Sequence, residues 1–451
     1  MLVTVLRTEL KRSAAPWAGA LLLTSALAFL YAADASWWRG TTAWTAQWTP
    51  LALWTRSLLY YLWPLAVGAG ALQGLRDHRS KMTELLATTP RPAWHRAATQ
   101  AGTAAATLAT GFTLLVLVGG AQVLAHAGYA HLGWLPVTLV AVLALAAGAV
   151  LGMGIARTLP SPLTPPALTI TALAFTTLIH MSLGRARTIS PDGFDIDRPN
   201  RLSLFSPGVY DVRSAFVTLS TTVSLGQTLW FLGLAATGFA LLTATTGRAR
   251  LLAPAPVLAG AALAVLVLPT DPDRMYVVDR AAARPVCDGP VCVTRTHEDR
   301  LAGLAGPGKE ALSLLRTALG EKAPDAVREN TTFLPHGSTP RRRQDTVLVD
   351  FDDAALAGGG NLTRALVGKG LVPGCTPVGW QGIGEEDIAR TVAVAWVLGT
   401  LDPAAGPEAR TAWQDLTARP RAQQLARVDA MRTAAHTCRG EPFDVLKGGP
   451  R

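Results

Sequence analysis

Seven stretches of this 451-residue chain are apolar for long enough to cross a bilayer, and all of them fall before residue 269. They cover approximately 17–33, 51–75, 98–125, 134–155, 166–183, 225–245 and 251–268. A bilayer core takes roughly 17–25 mostly apolar helical residues, because each backbone N–H and C=O must be satisfied within the segment. The chain is therefore expected to be an α-helical polytopic membrane protein with about seven transmembrane helices. The third and fourth stretches are rich in Ala, Gly and Thr, which lets helices approach closely. Arg56, early in the second stretch, is the one charge inside a span. It reads either as an anchor snorkelling to the outer interface or as part of a cargo path.

The net charge of +10 raises nucleic acid as a partner. Its distribution argues against that partner: 18 basic and 8 acidic side chains precede residue 270, whereas 23 of each follow it. The excess thus belongs to membrane loops, where it reports topology. With the N-terminus in the cytoplasm, the inner loops hold Arg7, Lys11, Arg12, Arg76, Arg79, Lys81, Arg91, Arg96, Arg157, Arg248 and Arg250. The outer loops hold Arg39, Arg185, Arg187, Arg198, Arg201 and Arg213, so the positive-inside rule favours this orientation. Seven crossings then carry the C-terminus outside.

Cysteine usage leads independently to the same side. Cys287, Cys292, Cys375 and Cys438 all follow the last apolar stretch, and an even set confined to one domain implies two disulfides in an oxidising compartment. Three pairings are possible, with four buried thiols as the alternative. The turn chemistry of Asp288-Gly289-Pro290-Val291 favours Cys287 with Cys292, leaving Cys375 with Cys438.

Trp37, Trp38, Trp44 and Trp48 cluster after the first span as an aromatic belt would. An Ala-Asp-Ala pattern at 33–35 resembles a signal cleavage site, but the chain passes from it straight into more membrane sequence, so a retained span is expected. Before that span, Leu2, Val5, Leu6 and Leu10 share one helical face, the pattern of a helix lying on membrane lipid. Between spans two and three, Met82, Leu85 and Leu86 form a short apolar stripe among charges, and Pro90 ends it. From the residues alone, this is either a helix docking on a cytoplasmic protein or a solvated loop.

Three segments carry a resemblance: LRTELKRSAAPWAG before span one, GLRDHRSKMTELLATTPRP after span two, and GMGIARTLPSPLTPP between spans four and five. Together they resemble type-2 ABC exporter permeases of actinobacteria, over residues 1–268. The resemblance implies a connecting helix, a coupling helix that docks on a separate cytoplasmic ABC ATPase subunit, and a second cytoplasmic contact. Carried onto this chain, the ATPase-coupling residues are Arg76, Asp77, Arg79, Lys81, Glu84, Leu85 and Leu86, with Arg157 at the second contact. It also implies assembly as a homodimer or with a second permease, and outer-leaflet dips before span six, for which 216–224 is the candidate. A seventh span and an exported C-terminal domain depart from the six-span pattern.

Residues 269–451 read as a mixed α/β extracytoplasmic domain. Strands are expected at 275–278, at a hairpin around Cys287 and Cys292, and at 345–351. A helix capped near Thr296 is expected to be interrupted by Gly303, Gly306, Pro307 and Gly308 before resuming at 311–319, with further helices near 385–401 and 421–438. Catalytic chemistry is not legible: His297, His336 and His436 lack ligand-spaced partners, and Asp350, Asp352 and Asp353 read as a solvated strand end. Gly306-Pro307-Gly308-Lys309-Glu310 falls short of a P-loop. No enzyme activity, metal or cofactor is expected. The leading expectation is an exporter permease; the alternative is a membrane-anchored sensor or scaffold that does not transport.

Overall fold

The computed structural model describes residues 15–33, 35–80, 93–189, 195–209, 212, 214–334, 338, 342–352, 361–375 and 385–449. They fall into two compact units, Met1–Arg187 with Asp197–Val277, and Thr188–Ile196 with Val278–Arg451.

The first unit is a helical bundle. Its elements are α1 (Ala15–Ala32), α2 (Trp48–Ser57), α3 (Leu59–Gly74), α4 (Ala93–His126), α5 (Leu135–Thr158), α6 (Thr164–Leu178), α7 (Thr221–Thr243), α8 (Gly247–Leu252) and α9 (Ala255–Val267). Among the described residues, six helical segments are long and apolar enough to cross a membrane: Ala15–Ala32, Trp94–His126, Leu135–Thr158, Thr164–Leu183, Thr221–Thr243 and Gly247–Val267. The second apolar stretch is built differently. A turn at Leu58 divides it into α2 and α3, each too short to span alone. Pro64, which lacks an N–H, lies within α3. Side chains position the helix starts elsewhere: Ser220 accepts from Val223 N–H at α7, and Thr246 accepts from Ala249 N–H at α8.

Small residues set the helix spacing. A Cβ on Gly70 would lie 2.0 Å from Ala149 O, and one on Gly152 would lie 2.0 Å from Val67 O, so α3 and α5 touch backbone to backbone. Gly19 and Gly111 play the same part between α1 and α4, as do Gly233 and Gly260 between α7 and α9.

These contacts also give direction. Gly70 faces Ala149 and Gly74 faces Met153, so α3 and α5 are parallel. Tyr60 bonds Thr177 while Gly68 faces Thr169, so α6 runs antiparallel to α3. Gly226 faces Leu268 while Gly233 faces Pro256, which makes α9 antiparallel to α7. Successive passes therefore alternate along the bundle, and α2 with α3 together form one pass.

The tryptophans differ from the expected belt. Trp44 is fully buried, Trp37 and Trp38 both donate to Leu30 O, and Trp48 stacks on Trp134 at 5.2 Å. The loop after α1 folds back over the bundle, and the indole N–H groups of Trp37 and Trp38 satisfy a carbonyl there. Nor is 216–224 a helical dip. Val217–Leu219 is a strand, β3, paired with β4 (Tyr276–Val278), and Ser220 N–H donates to Met275 O. Between α6 and α7 lie two further short strands, β1 (Arg185–Ile189) and β2 (Asp195–Pro199).

The second unit is α/β, around a four-stranded sheet ordered β5 (Pro285–Asp288), β6 (Val291–Thr294), β7 (Ala326–Glu329), β8 (Thr346–Val349). The β5–β6 pair is antiparallel, whereas β6–β7 and β7–β8 are parallel. Gly289, at φ +61, supplies the left-handed turn of the β5–β6 hairpin, which places Cys287 opposite Cys292. Both favoured disulfides are present, Cys287–Cys292 and Cys375–Cys438.

Helix α10 (Leu301–Leu319) runs unbroken through Gly303, Gly306, Pro307 and Gly308, contrary to the interruption expected. Its stripe of Leu304, Ala311, Leu312, Leu315 and Leu319 buries in the sheet core, and this packing outweighs the local cost of glycine and proline. Gly308 is needed there, since a Cβ would meet Val291 at 2.7 Å. Helices α11 (Leu362–Leu371), α12 (Glu385–Leu398), α13 (Pro407–Thr417), α14 (Arg421–Thr437) and α15 (Pro442–Lys447) complete the unit. Fully buried Arg432 on α14 donates to Gly370 O, Lys322 O and Gln344 O, tying three segments to one guanidinium.

Candidate functional site

Helix alternation gathers one set of loop ends at one end of the bundle. The last turns of α3 and α5 pack there through Ala71, Leu75 and Ala156, with Leu168 of α6 against them. Beside them, Ala97, Ala101 and Ala104 at the start of α4 pack against Val150, Met153 and Leu242. Arg76 and Arg79 follow α3 on a short turn of helix, Arg76–Arg79; Arg157 ends α5, and Arg248 and Arg250 sit on α8. His78 and Arg79 are exposed. The structure thus brings Arg76, Arg79 and Arg157 to one end on helices in backbone contact. Lys81, Glu84, Leu85 and Leu86 lie outside the described residues, as does the amphipathic opening over 2–12, and of Asp77 only the backbone is described.

Sequence reading singled out the most unusual polar group in the bundle but missed its setting. Arg56 is 0% exposed, so it neither snorkels nor faces an open path. Its Nη2 donates to Gln227 Oε1 at 2.7 Å, Nη1 to Val137 O at 3.2 Å and Nε to Pro207 O at 3.3 Å. Gln227 in turn donates through Nε2 to Leu204 O at 3.0 Å and Ser206 O at 3.4 Å. Among the described residues no carboxylate neutralises this charge; neutral acceptors from α5, α7 and the segment before α7 hold it. One cue lay in the sequence: an arginine some five residues into an apolar span is costly unless partnered. The partner, Gln227, lies 171 residues away and carries no signal of its own.

The second unit holds a buried acid–base pair. Its β6–β7 ladder pairs Val291 with Val327 and Cys292 with Arg328, then gives way to a side chain: Glu329 Oε2 accepts from Thr294 N–H at 2.6 Å. The other oxygen, Oε1, lies 2.6 Å from His297 Nδ1, which assigns the proton-bearing side of the ring. His297 is 5% exposed, its ring edge meets Phe351 at 5.2 Å, and its Nε2 is buried without a partner among the described residues. His297 is thus a buried, carboxylate-paired residue, and the 32 positions to Glu329 hid the pairing from spacing rules.

His436 is buried too, with Nδ1 donating to Arg432 O at 2.8 Å. Burial pushes its pKa down to about 4, the nearby charges of Arg432 and Arg342 acting the same way against that hydrogen bond. Around the second disulfide, Cys375 N–H donates to Glu386 Oε1 at 2.9 Å and Arg342 Nη2 donates to Gly374 O at 3.3 Å. Burial lowers the Arg342 pKa, opposed by the charges of Asp350 and Glu386. His336 and Asp353 lie outside the described residues. The P-loop-like fragment is helical within α10, and its Lys309 pairs with Asp288 at 2.8 Å.

Comparison of the chain with protein-family models, with curated proteins and with solved structures finds no match.

Proposed function

We propose that the chain is the permease subunit of an ABC exporter. A separate cytoplasmic ATPase docks on the basic end of the bundle, at the loop after α3 with Arg157 as a second contact. Its ATP-driven movements pass to the helices as rigid-body shifts. The supporting observation is that Arg76, Arg79 and Arg157 end two parallel helices that meet through Gly70, Gly74 and Gly152. A push on either loop end is then shared by both helices, because backbones in contact leave little room to slide.

In this reading the basic end faces the cytoplasm and the bundle crosses the membrane seven times. The disulfide-bearing unit then lies outside, where Cys287–Cys292 and Cys375–Cys438 form in an oxidising compartment. The permease acts as a homodimer or beside a second permease. A photo-crosslinking residue placed at position 79 or at position 157 of the full chain is expected to capture an ABC ATPase in membranes. Capture at neither position counts against the proposal.

The second reading is a membrane-anchored sensor or scaffold, favoured by the separate core of the disulfide-bearing unit and its buried His297–Glu329 pair. ATP hydrolysis that depends on this chain in reconstituted vesicles separates the two: only the permease reading requires it.

A further inference from the structure

A groove of about 220 Å³ opens on the lateral surface of the bundle between α1, α3, α4 and α5, towards the basic end. Trp17, Leu21, Leu72, Gln73, Ala104 and Leu108 are among its walls. Trp17, Leu21 and Leu72 are exposed, which suits a surface covered by hydrocarbon.

Two polar groups do not suit hydrocarbon. Gln73 is 7% exposed and lines the groove, yet its amide makes no hydrogen bond among the described residues. An amide in an apolar setting is costly until it finds a partner. The second is Arg96, whose Nε is buried without a partner. Arg96 lies on α4 eleven residues before Thr107, another wall residue, so about three turns of helix put both on one face. On α3, Arg76 follows Gln73 by about one turn.

Moving towards the basic end, the order is an apolar slot, a lone amide donor, then guanidinium groups. A glycerophospholipid presents acyl chain, ester carbonyl and phosphate in that order. We infer that the groove binds one anionic glycerophospholipid of the surrounding leaflet. Its acyl chain lies against Leu21, Leu72 and Leu108, an ester carbonyl accepts from the Gln73 amide, and the phosphate meets Arg96. The excess of arginine at this end selects an anionic headgroup over a zwitterionic one. A second copy of the chain would have to offer both a carbonyl and an anion beside an apolar helix face, which is a poorer fit. The inference needs only the membrane setting, and stands apart from the exporter proposal.

Native mass spectrometry of the full chain, delipidated in dodecyl maltoside, tests it with dioleoyl phosphatidylglycerol, dioleoyl phosphatidylcholine and inorganic phosphate. One phosphatidylglycerol per chain is expected to remain bound, at about a tenfold lower concentration than phosphatidylcholine requires, with free phosphate not retained. Gln73→Leu and Arg96→Gln should each weaken phosphatidylglycerol retention about fivefold, Arg96→Lys should keep most of it, and Ala69→Leu should fill the groove and abolish it. Equal retention of the two lipids overturns the inference. So does unchanged phosphatidylglycerol retention in a monodisperse Gln73→Leu protein. A change of oligomeric state with Ala69→Leu, lipid retention being unaffected, would make the groove a contact between copies and overturn it as well. Should Arg96→Gln fail to fold, Gln73→Leu and Arg96→Lys decide.

Discussion

Arg56 donates to Gln227 Oε1 at 2.7 Å inside the bundle, joining side chains 171 positions apart. The same guanidinium reaches Val137 O and Pro207 O, so α2, α5, α7 and the segment before α7 meet at one charged group. Burying a charge without a counter-ion is expensive, and it is tolerated here because each named bond carries the strength of a charge-assisted one.

Removing both partners should therefore cost less than the two single losses added together. Gln227→Leu leaves the buried guanidinium short of an acceptor, at about 1–3 kcal/mol, and Arg56→Leu strands the Gln227 carbonyl at a similar cost. The double variant Arg56→Leu/Gln227→Leu is expected to be clearly more stable than the sum of the two losses. Thermal unfolding of the four proteins in one detergent measures the coupling; strict additivity would mean that the bond contributes nothing of its own.

Glycine substitutions should divide sharply by position. Gly70→Val and Gly152→Val each drive a side chain into a carbonyl of the facing helix and are expected to prevent a monodisperse product. Gly102→Val meets open space and should purify as wild type does. Size-exclusion profiles of the three variants decide this, and comparable behaviour of all three would contradict the close α3–α5 approach.

The two disulfides should contribute unequally. Cys375–Cys438 closes 63 residues and Cys287–Cys292 only 5, so chain entropy assigns about 4 kcal/mol to the first and about 2 to the second. Paired Cys→Ala variants of each bridge, compared by denaturant unfolding of the full chain, are expected to preserve that order. A larger loss from the short bridge would show that local hairpin geometry outweighs loop entropy.

Acid should weaken the disulfide-bearing unit through His436. Its pKa is held down to about 4 in the folded protein, against 6.5 for the unperturbed side chain. The unfolded chain therefore takes up this proton first, so stability falls as pH drops from about 6.5 to about 4 and levels off below, by roughly 3 kcal/mol at most. His436→Gln should lose that part of the slope. An identical pH profile in the variant would mean that other groups carry it.

How far the sequence determines each feature follows from the range of the interaction behind it. Apolar runs are local, and they marked every helical pass of the bundle to within a few residues. Leu58 escaped notice, because a turn inside an apolar run leaves the composition unchanged. The Cys287–Cys292 bridge was legible because Asp288, Gly289 and Pro290 spell a turn between its ends. In α10 the local signal misled: glycines and a proline signalled a break, and burial of Leu312, Leu315 and Leu319 overrode them. Long-range pairs were out of reach, as Arg56 with Gln227 and His297 with Glu329 illustrate. The proposed coupling residues rest on resemblance; physics alone placed Arg76 and Arg157 in loops and said nothing of their shared end.

The most direct test of the permease proposal is co-purification in mild detergent with any ABC ATPase encoded beside this chain. Wild type is compared with a variant in which Arg76, Arg79 and Lys81 are all changed to Glu. Wild type is expected to retain the ATPase, and the variant, still monodisperse, to lose it. Absence of any ATPase from folded wild type, or equal retention by the variant, would contradict the proposal.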